Sequence, residues 1–279
     1  MKKWKVAIVI LAFGVILTAC SSSQEEEEQR EQTVPDLEIK VEDQDDTTEE
    51  KNSGETDSTE AAEEEEPGER REEIVVLDPG HSSVVAEGTE PLGPGSSEQK
   101  AADTLGTGGV STGIPEYELT LTVSQKLKSE LEDRGYTVVL TRDSNDVPMS
   151  CVQRATVASD ADADAFVRIH ANGIDDSSVQ GAMTICITEQ NPFYPELYPQ
   201  SRALSDNIIN ELCKAAGCEN DGVWETDSMS GNNWSEVPAT IVEMGYMTNP
   251  EEDQLMASEE YQNKMVQGIA NGIDVYFGY

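Results

Sequence analysis

The sequence is short of positive charge, and this shortage limits what the protein binds. The 279 residues include 18 Lys or Arg against 56 Asp or Glu, which gives a formal net charge of -38 at pH 7. Nucleic acids and anionic membranes attract proteins through basic residues. The composition therefore argues against nucleic acid as a partner, and against adhesion to an anionic membrane by charge alone.

Several motifs of well-known catalytic sites are also absent. The sequence has no His-Glu-x-x-His and no Cys-x-x-Cys. These absences argue against a helical pair of zinc-binding histidines and a thiolate zinc site. The glycines within 106–109 lack the lysine of a phosphate-binding loop, so we interpret them as a flexible segment.

Histidine is scarce, and both histidines follow strand-like runs. His81 ends an apolar run that begins at Ile74, and His170 ends the run 165–170. Neutral imidazole is a common metal ligand and catalytic base. In open α/β sheets, ligands bind beyond the carboxyl ends of the strands. The two histidines could therefore meet at one site, although each could also be a solvated turn residue.

Residues 1–20 have the features of a bacterial lipoprotein signal peptide. Three lysines precede an apolar run over 6–17, which is short for a membrane-spanning helix. The segment ends in Leu-Thr-Ala-Cys and resembles the site at which such signals are cleaved and the cysteine is acylated. It predicts a lipid on Cys20 that holds the protein at the extracytoplasmic face of the cell membrane. An ordinary secretory signal with a chance cysteine is the alternative.

Residues 21–73 form an acidic segment of low complexity. From residue 24 it contains 23 Asp or Glu, 5 Lys or Arg and no aromatic residue. Such a composition cannot bury enough apolar surface to offset chain entropy, so it predicts a disordered tether. An acidic tail that binds another protein is the alternative. The remainder, 74–279, has the size of one domain.

The pattern within 74–279 alternates between strands and helices. Leucine and valine recur every four residues from Leu119 to Leu131, and Gly135 follows as a stop signal, so a helix is predicted after Pro115. The stretch 82–114 has little periodicity and is predicted to be a long loop. Further strands are predicted at 74–77, 137–141, 165–170, 181–188 and 238–244, and further helices at 150–160, 201–216 and 258–276. The alternation predicts an α/β domain with a largely parallel twisted sheet flanked by helices.

Four cysteines lie in this domain, and an exported protein can oxidise them. Cys213 and Cys218 flank a glycine that could end a helix, so they are close enough to pair. Cys151 and Cys186 are then left over. The sequence does not decide the pairing.

A catalytic zinc site needs three protein ligands, and two histidines leave one position for an oxygen ligand. Glu116 is the candidate, because it begins the helix that follows the long loop. Glu118 points to another helix face, and Glu87, Glu90 and Glu98 in the loop are weaker candidates. The alternative role for Glu116 is stabilisation of the helix dipole.

Glu243 lies inside an apolar strand, where a carboxylate needs a partner. A water activated by a metal ion is one such partner, and a glutamate with a raised pKa could serve it as general base and then acid. A structural salt bridge with Arg142 or Arg154 is the alternative.

These residues carry a resemblance that covers about 74–276. Leu-Asp-Pro-Gly-His at 77–81, Glu116 before its helix, Phe-Val-Arg-Ile-His-Ala-Asn at 166–172 and Ile-Val-Glu-Met-Gly-Tyr-Met-Thr-Asn-Pro at 241–250 occur in order. Together with Leu-Thr-Arg-Asp at 140–143, they resemble the zinc-dependent N-acetylmuramoyl-L-alanine amidases of the Amidase_3 type. The chain departs from that pattern in Ser82-Ser83 after the first histidine, where glycines are usual, and in its longer loop.

The resemblance implies a zinc ion held by His81, Glu116 and His170, with Glu243 as the catalytic acid and base. It implies hydrolysis of the amide between N-acetylmuramic acid and L-alanine in peptidoglycan. Asn172, Asn233 and Trp234 are the candidates for contact with the substrate. The sequence does not identify a protein activator.

Two other functions remain open at this point. One is a non-catalytic cell-wall-binding or germination lipoprotein that kept the fold, although a degenerate relative would be expected to lose one of the four site residues. The other is a solute-binding lipoprotein, which the lack of a second lobe disfavours.

Overall fold

The computed structural model describes residues 70–279. The predicted signal peptide, the lipidated Cys20 and the predicted tether up to residue 69 lie outside the described residues. The last residues assigned to the tether contact the domain: the Arg71 backbone N–H donates to the Gly135 carbonyl, and the Arg71 side chain pairs with Asp274. Contacts of the folded part thus begin before the predicted boundary at Ile74.

A six-stranded sheet forms the centre of the domain, and a two-stranded hairpin lies beside it. The strands are β1 (Ile74–Pro79), β2 (Thr89–Pro91), β3 (Gln99–Ala101), β4 (Thr137–Leu140), β5 (Ala165–Asn172), β6 (Ala182–Cys186), β7 (Asn220–Glu225) and β8 (Ala239–Tyr246). The helices are α1 (Glu116–Asp133), α2 (Cys151–Asp160), α3 (Tyr198–Ala216), α4 (Ser230–Asn233), α5 (Pro250–Ala257) and α6 (Glu259–Phe277), with a 3-10 turn at Pro195–Leu197.

The strand order in the sheet is β4-β1-β5-β8-β6-β7. All neighbouring strands are parallel except β6 and β8, which are antiparallel. The prediction of a largely parallel sheet is confirmed. The carboxyl ends of β1, β5 and β8, which lie next to one another, therefore meet at one edge.

The two faces of the sheet bury different sets of side chains, as the two-residue period of a strand requires. On β5, Val167 and Ile169 face the larger core beneath α1, α3 and α6, whereas Phe166 faces a smaller core beneath α2. Two glycines of α6 allow close packing on α3, because a Cβ at Gly268 or Gly272 would lie within 2.6 Å of an α3 backbone atom.

Local signals explain most helix ends. Ser150 and Gln153 form a capping box at the start of α2, and the Ser258 hydroxyl accepts a hydrogen bond from the third residue of α6. Gly217 ends α3 in the left-handed conformation, with φ of 77°. No helix within residues 70–279 is long and apolar enough to cross a membrane.

The sequence-based assignment missed five elements. The predicted loop 82–114 contains the hairpin β2–β3, the edge strand β7 lies at 220–225, and α4 and α5 are short helices. None of them carries a sustained apolar period, which is the signal on which the assignment relied. Asn249 caps α5 by accepting hydrogen bonds from the backbone N–H groups of Glu251 and Glu252.

All four cysteines of the domain are unbonded thiols. The sulfur atoms of Cys213 and Cys218 are 3.1 Å apart, so the pairing of these two stays a prediction with favourable geometry.

Candidate metal centre

The two histidines come together at the carboxyl edge of the sheet. His170 lies on β5, and His81 follows β1 after the single residue Gly80. Their ring centroids are 4.9 Å apart and the rings are nearly perpendicular. Gly80 makes this approach possible, because a Cβ there would lie 2.4 Å from the His170 ring. His81 itself adopts a φ of 61°, a conformation that is costly for a residue other than glycine.

Glu116 joins the two rings from the start of α1. Its Oε1 lies 3.0 Å from His170 Nδ1 and 3.2 Å from His81 Nε2. Its Oε2 accepts a hydrogen bond of 2.9 Å from the Thr107 backbone N–H. Pro115 is the N-cap of α1 and Glu116 its first residue, and the Glu116 side chain is only 4% exposed.

A backbone carbonyl orients the His81 ring. Nδ1 of His81 lies 2.8 Å from the Thr104 carbonyl, which only accepts hydrogen bonds, so Nδ1 carries the proton. The lone pair of the ring therefore lies on Nε2, which faces Glu116. Contacts of this kind fix the tautomer of histidines that bind metals.

Burial and the shared carboxylate shift the pKa values of all three groups. Burial raises the pKa of Glu116, but its hydrogen bonds to both histidines outweigh burial and hold that pKa far below its usual range. Burial lowers the pKa of His170 to about 4, although the hydrogen bond that Glu116 accepts from the ring acts to raise it. Burial also opposes protonation of His81, yet the hydrogen bond and charge of Glu116 prevail and raise its pKa. A neutral His170 beside a charged Glu116 is the state in which both can bind a cation.

Glu243 faces this group from the neighbouring strand. It pairs in register with His170 across β5 and β8, and its Oε2 is buried without a hydrogen-bond partner within residues 70–279. Burial, with a smaller contribution from the charge of Glu116, raises its pKa to about 8. A buried carboxylate oxygen without a partner is rare in folded proteins and calls for an explanation.

The residues present fit a metal ion. One atom from each of His81, Glu116 and His170 lies within 4.8 Å of the others. His170 Nε2 is buried and, like Glu243 Oε2, has no partner in the described part of the chain. Two imidazole nitrogens and one carboxylate form a donor set that suits divalent transition metals and leaves a position open for water.

A cavity of about 370 Å³ opens beside the three residues. Its lining includes both histidines, Glu243, Arg168 on β5, and Lys100 and Thr104 from the segment after β1. The segment 82–114 therefore supplies part of the wall, as well as the backbone groups that hold His81 and Glu116.

A second set of buried polar groups surrounds Asp78 of β1, three residues before His81, and these groups are fully hydrogen-bonded. The Arg154 guanidinium donates to the Asp78 carboxylate at 2.8 Å and to the carbonyls of Pro79 and His81. Arg142 donates to the carbonyls of Pro79 and Gly80. We call this set the anchor cluster; its members are Asp78, Thr141, Arg142 and Arg154.

The anchor cluster changes the interpretation of two arginines. The sequence suggested Arg142 or Arg154 as the salt-bridge partner of Glu243. In the structure, both guanidinium groups instead donate hydrogen bonds to Asp78 or to the backbone of the turn that carries His81. They hold the turn that carries His81. In the sequence, the only indication of this role was that Arg142 follows a predicted strand and that Arg154 lies within a predicted helix.

The three predicted substrate contacts lie away from the cavity lining. Asn233 is buried and bonds to Asn191 and to the carbonyls of Leu92 and Asp227. The Trp234 indole donates to the Pro91 carbonyl at 2.8 Å. These two residues therefore anchor the hairpin β2–β3, and the residues just before them, 228–231, line the cavity instead.

Asn172, the third of these candidates, lies at the end of β5. Its side-chain oxygen accepts from the Gly173 backbone N–H at 2.8 Å, so it shapes the turn after the strand.

Comparisons with known proteins point to one family. A family model described as N-acetylmuramoyl-L-alanine amidase matches residues 75–275. The chain is 32% identical to the uncharacterized protein YqiI of Bacillus subtilis over 61% of this chain and 79% of that one. It is 29% identical to the N-acetylmuramoyl-L-alanine amidase LytC of the same organism, over 67% of this chain but 35% of LytC.

A solved structure shares the fold. The N-acetylmuramyl-L-alanine amidase Ami1 of Mycobacterium smegmatis superposes with a TM-score of 0.68 at 25% identity. The match covers 74% of this chain and 97% of Ami1.

Proposed function

Because the chain belongs to the N-acetylmuramoyl-L-alanine amidase family, we propose that it hydrolyses the amide between N-acetylmuramic acid and L-alanine in peptidoglycan with the help of zinc. The products are a glycan with a free lactyl carboxylate and a peptide with a free L-alanine amino group. The reaction needs a polarised carbonyl, an activated water and a proton for the departing amine.

One observation carries the proposal. The atoms of His81, Glu116 and His170 that could bind a metal lie within 4.8 Å of one another, and an unpartnered oxygen of Glu243 faces them from the next strand. A donor set of this kind together with a separate buried carboxylate is what a metal-assisted hydrolase requires.

The residues divide the chemistry between them. His81, Glu116 and His170 would hold a zinc ion, which when bound would supply Lewis acidity to the scissile carbonyl and to the attacking water. Glu243 accepts a proton from that water and returns it to the leaving nitrogen. The raised pKa of Glu243, about 8, allows its carboxyl group to carry a proton near neutral pH, and a nearby cation favours its charged form.

Digestion of purified peptidoglycan tests the reaction. We expect the zinc-loaded protein to release new L-alanine amino termini without new reducing sugar ends, since the glycan strands stay whole. A chelator should stop the release, and added zinc should restore it. New reducing ends without free amino termini would identify a different hydrolase.

We also propose that a lipid on Cys20 holds the enzyme at the membrane and that the acidic segment reaches from there towards the wall. The support is the sequence of residues 1–20 and the composition of 21–73. In the bacterium, Cys20→Ser should move the protein from the membrane fraction to the soluble fraction and abolish incorporation of labelled fatty acid. Retention of both properties by the variant would overturn the anchor.

A further inference from the structure

Arg168 lies beside the metal centre and has no role in the chemistry above. It precedes His170 by two residues on β5, so both side chains point from the same face of the sheet. It pairs in register with Ile241, as His170 pairs with Glu243, and it lines the cavity. Two residues along a strand correspond to roughly 7 Å, so Arg168 lies about that far from His170 along β5, towards the amino end of the strand.

The ion pair of Arg168 uses only part of its guanidinium. Its Nε donates to the Asp78 carboxylate at 2.9 Å, and its other side-chain partner within residues 70–279 is the thiol of Cys151, a weak acceptor. Asp78 already accepts from Arg154 and Thr141. A single carboxylate therefore faces two guanidinium groups, and one positive charge of this trio has no counter-charge within it.

A comparison of the two arginines shows which one is left incomplete. The remaining N–H groups of Arg154 donate to the backbone carbonyls of Pro79 and His81, and its side chain is 1% exposed. Arg168 instead lines the cavity, although its side chain is only 6% exposed. If Arg168 served only to neutralise Asp78, its other donors would be expected to find partners as those of Arg154 do.

Gly231 makes room for these groups. A Cβ at this position in α4 would lie 2.5 Å from Nη1 and 2.6 Å from Cζ of Arg168. The guanidinium is thus seated against backbone on one side and tied to Asp78 on the other, so its fork is held in a fixed orientation. Such a fork matches a carboxylate, to which it can donate two parallel hydrogen bonds.

The charge around the cavity favours the same ligand. The whole chain carries a net charge of -38, yet two cations, Arg168 and Lys100, line this cavity. Local positive potential in an otherwise acidic protein concentrates anionic groups where it occurs.

We propose that the Nη groups of Arg168 form a subsite for a carboxylate carried by the second residue of the substrate peptide. The inference rests on the proposed function, because the scissile carbonyl must lie at the metal centre. An extended peptide advances about 3.3–3.6 Å per residue, so the second residue beyond the scissile bond lies roughly 7 Å away. That span equals the step from His170 to Arg168 along β5.

A pair of substrates that differ in one group tests the subsite. One is N-acetylmuramoyl-L-alanyl-D-isoglutamate, and the other carries D-isoglutamine, in which the carboxylate is a carboxamide. We expect the wild-type enzyme to favour the carboxylate by roughly ten- to hundredfold in kcat/KM, as for a charge-assisted bidentate pair. The difference should appear mainly in KM, since the group binds away from the reacting bond.

Two variants assign that preference to Arg168. Arg168→Gln removes the fork, and Gly231→Ala displaces it while the ion pair with Asp78 can remain, so each should reduce the preference to less than threefold. Arg202→Gln is the matched control, because Arg202 pairs with Asp206 and Glu225 away from the cavity and should leave rate and preference unchanged. Binding of the product dipeptide L-alanyl-D-isoglutamate, measured by calorimetry, should weaken in the first two variants only.

The outcomes separate the two levels of the proposal. Failure of the wild type to cleave either substrate would overturn the proposed function. Cleavage of both substrates at equal kcat/KM would leave the function standing and overturn the subsite. A preference that survives in both Arg168→Gln and Gly231→Ala would also overturn it.

Discussion

Two buried polar clusters lie near the carboxyl end of β1, and they differ in how well their hydrogen bonds are satisfied. In the anchor cluster, the Asp78 carboxylate accepts from Thr141 and Arg154, and the arginine donors end on backbone carbonyls. In the metal centre, His170 Nε2 and Glu243 Oε2 are buried without partners in the described residues.

This difference distinguishes residues that hold the backbone in place from residues that form the candidate site. Folding selects against buried polar atoms that lack partners, because each costs about 1–3 kcal/mol. The anchor cluster avoids this cost, and it fixes the turn that carries His81. The metal centre has two such atoms, His170 Nε2 and Glu243 Oε2 on adjacent strands, as expected at a site that would bind an ion and a reacting water. Substitutions in the two clusters should therefore have different consequences.

The largest effect is expected in the metal centre from Glu243→Gln. The amide keeps the size of the side chain but cannot accept and return the proton, so kcat should fall by about 10²–10⁴. Zinc content should stay at the wild-type level, because Glu243 is outside the ligand set. Release of L-alanine amino termini and metal analysis measure the two quantities. Wild-type activity in the variant would refute the role of Glu243.

In the anchor cluster, Asp78→Asn should mainly reduce stability. The change leaves two buried guanidinium groups without their carboxylate, so the free energy of unfolding should fall by about 3–5 kcal/mol. Urea denaturation measures it. Asp206→Asn is the matched control, because its ion pair with Arg202 is partly exposed and should contribute at most about 1 kcal/mol. Equal losses in both variants would contradict the distinction between the clusters.

A smaller effect is expected from Gly106→Ala, which disturbs the metal centre from outside. Gly106 has a φ of 75°, and a Cβ there would lie 2.4 Å from Glu116 Oε2 and 2.6 Å from the His81 ring. Zinc affinity should fall by roughly 10–100-fold, as when groups that orient metal ligands are changed. Gly88→Ala introduces similar backbone strain at φ 95° with no neighbour within 4 Å, and it should bind zinc normally. Similar losses in both would attribute the effect to strain alone.

A further effect concerns the pH dependence of stability in chelator-treated protein. The pKa of Glu243 is raised from 4.5 to about 8, so the folded state binds a proton that the unfolded state has released between these values. Wild-type stability should therefore fall as pH rises from about 4.5 to about 8, relative to Glu243→Gln, by an amount on the order of a few kcal/mol. Thermal unfolding of both proteins at several pH values measures the difference. A difference that stays constant across this window would contradict a buried, unpartnered carboxyl group.

Much of the fold follows from local pattern. The apolar run from Ile74 predicts β1, and the four-residue spacing from Leu119 predicts α1, because each bears the period of its element. The same logic places His81 and His170 at strand ends that share an edge. Glu116 could be selected among several acids because it begins a helix directed at that edge.

The remaining features of the site depend on tertiary contacts, which the hydrophobic periodicity of the sequence does not reveal. Thr104 and Thr107 hold His81 and Glu116 mainly through backbone atoms, so the residue types at these positions carry little signal in the sequence. Asn233 and Trp234 were predicted at the substrate because polar and aromatic residues often bind ligands, yet their side chains hold the hairpin β2–β3 in place. The direction in which such a side chain points is set by tertiary packing.

Zinc titration of chelator-treated protein tests the central claim most directly, namely that the unpartnered atoms at the sheet edge mark a metal centre. Calorimetry should give one zinc per chain for the wild type and for Glu243→Gln. Glu116→Gln should bind at least about 100-fold more weakly, because the carboxylate shared by both histidines is lost. Undiminished binding by Glu116→Gln, or no binding by the wild type, would contradict the account.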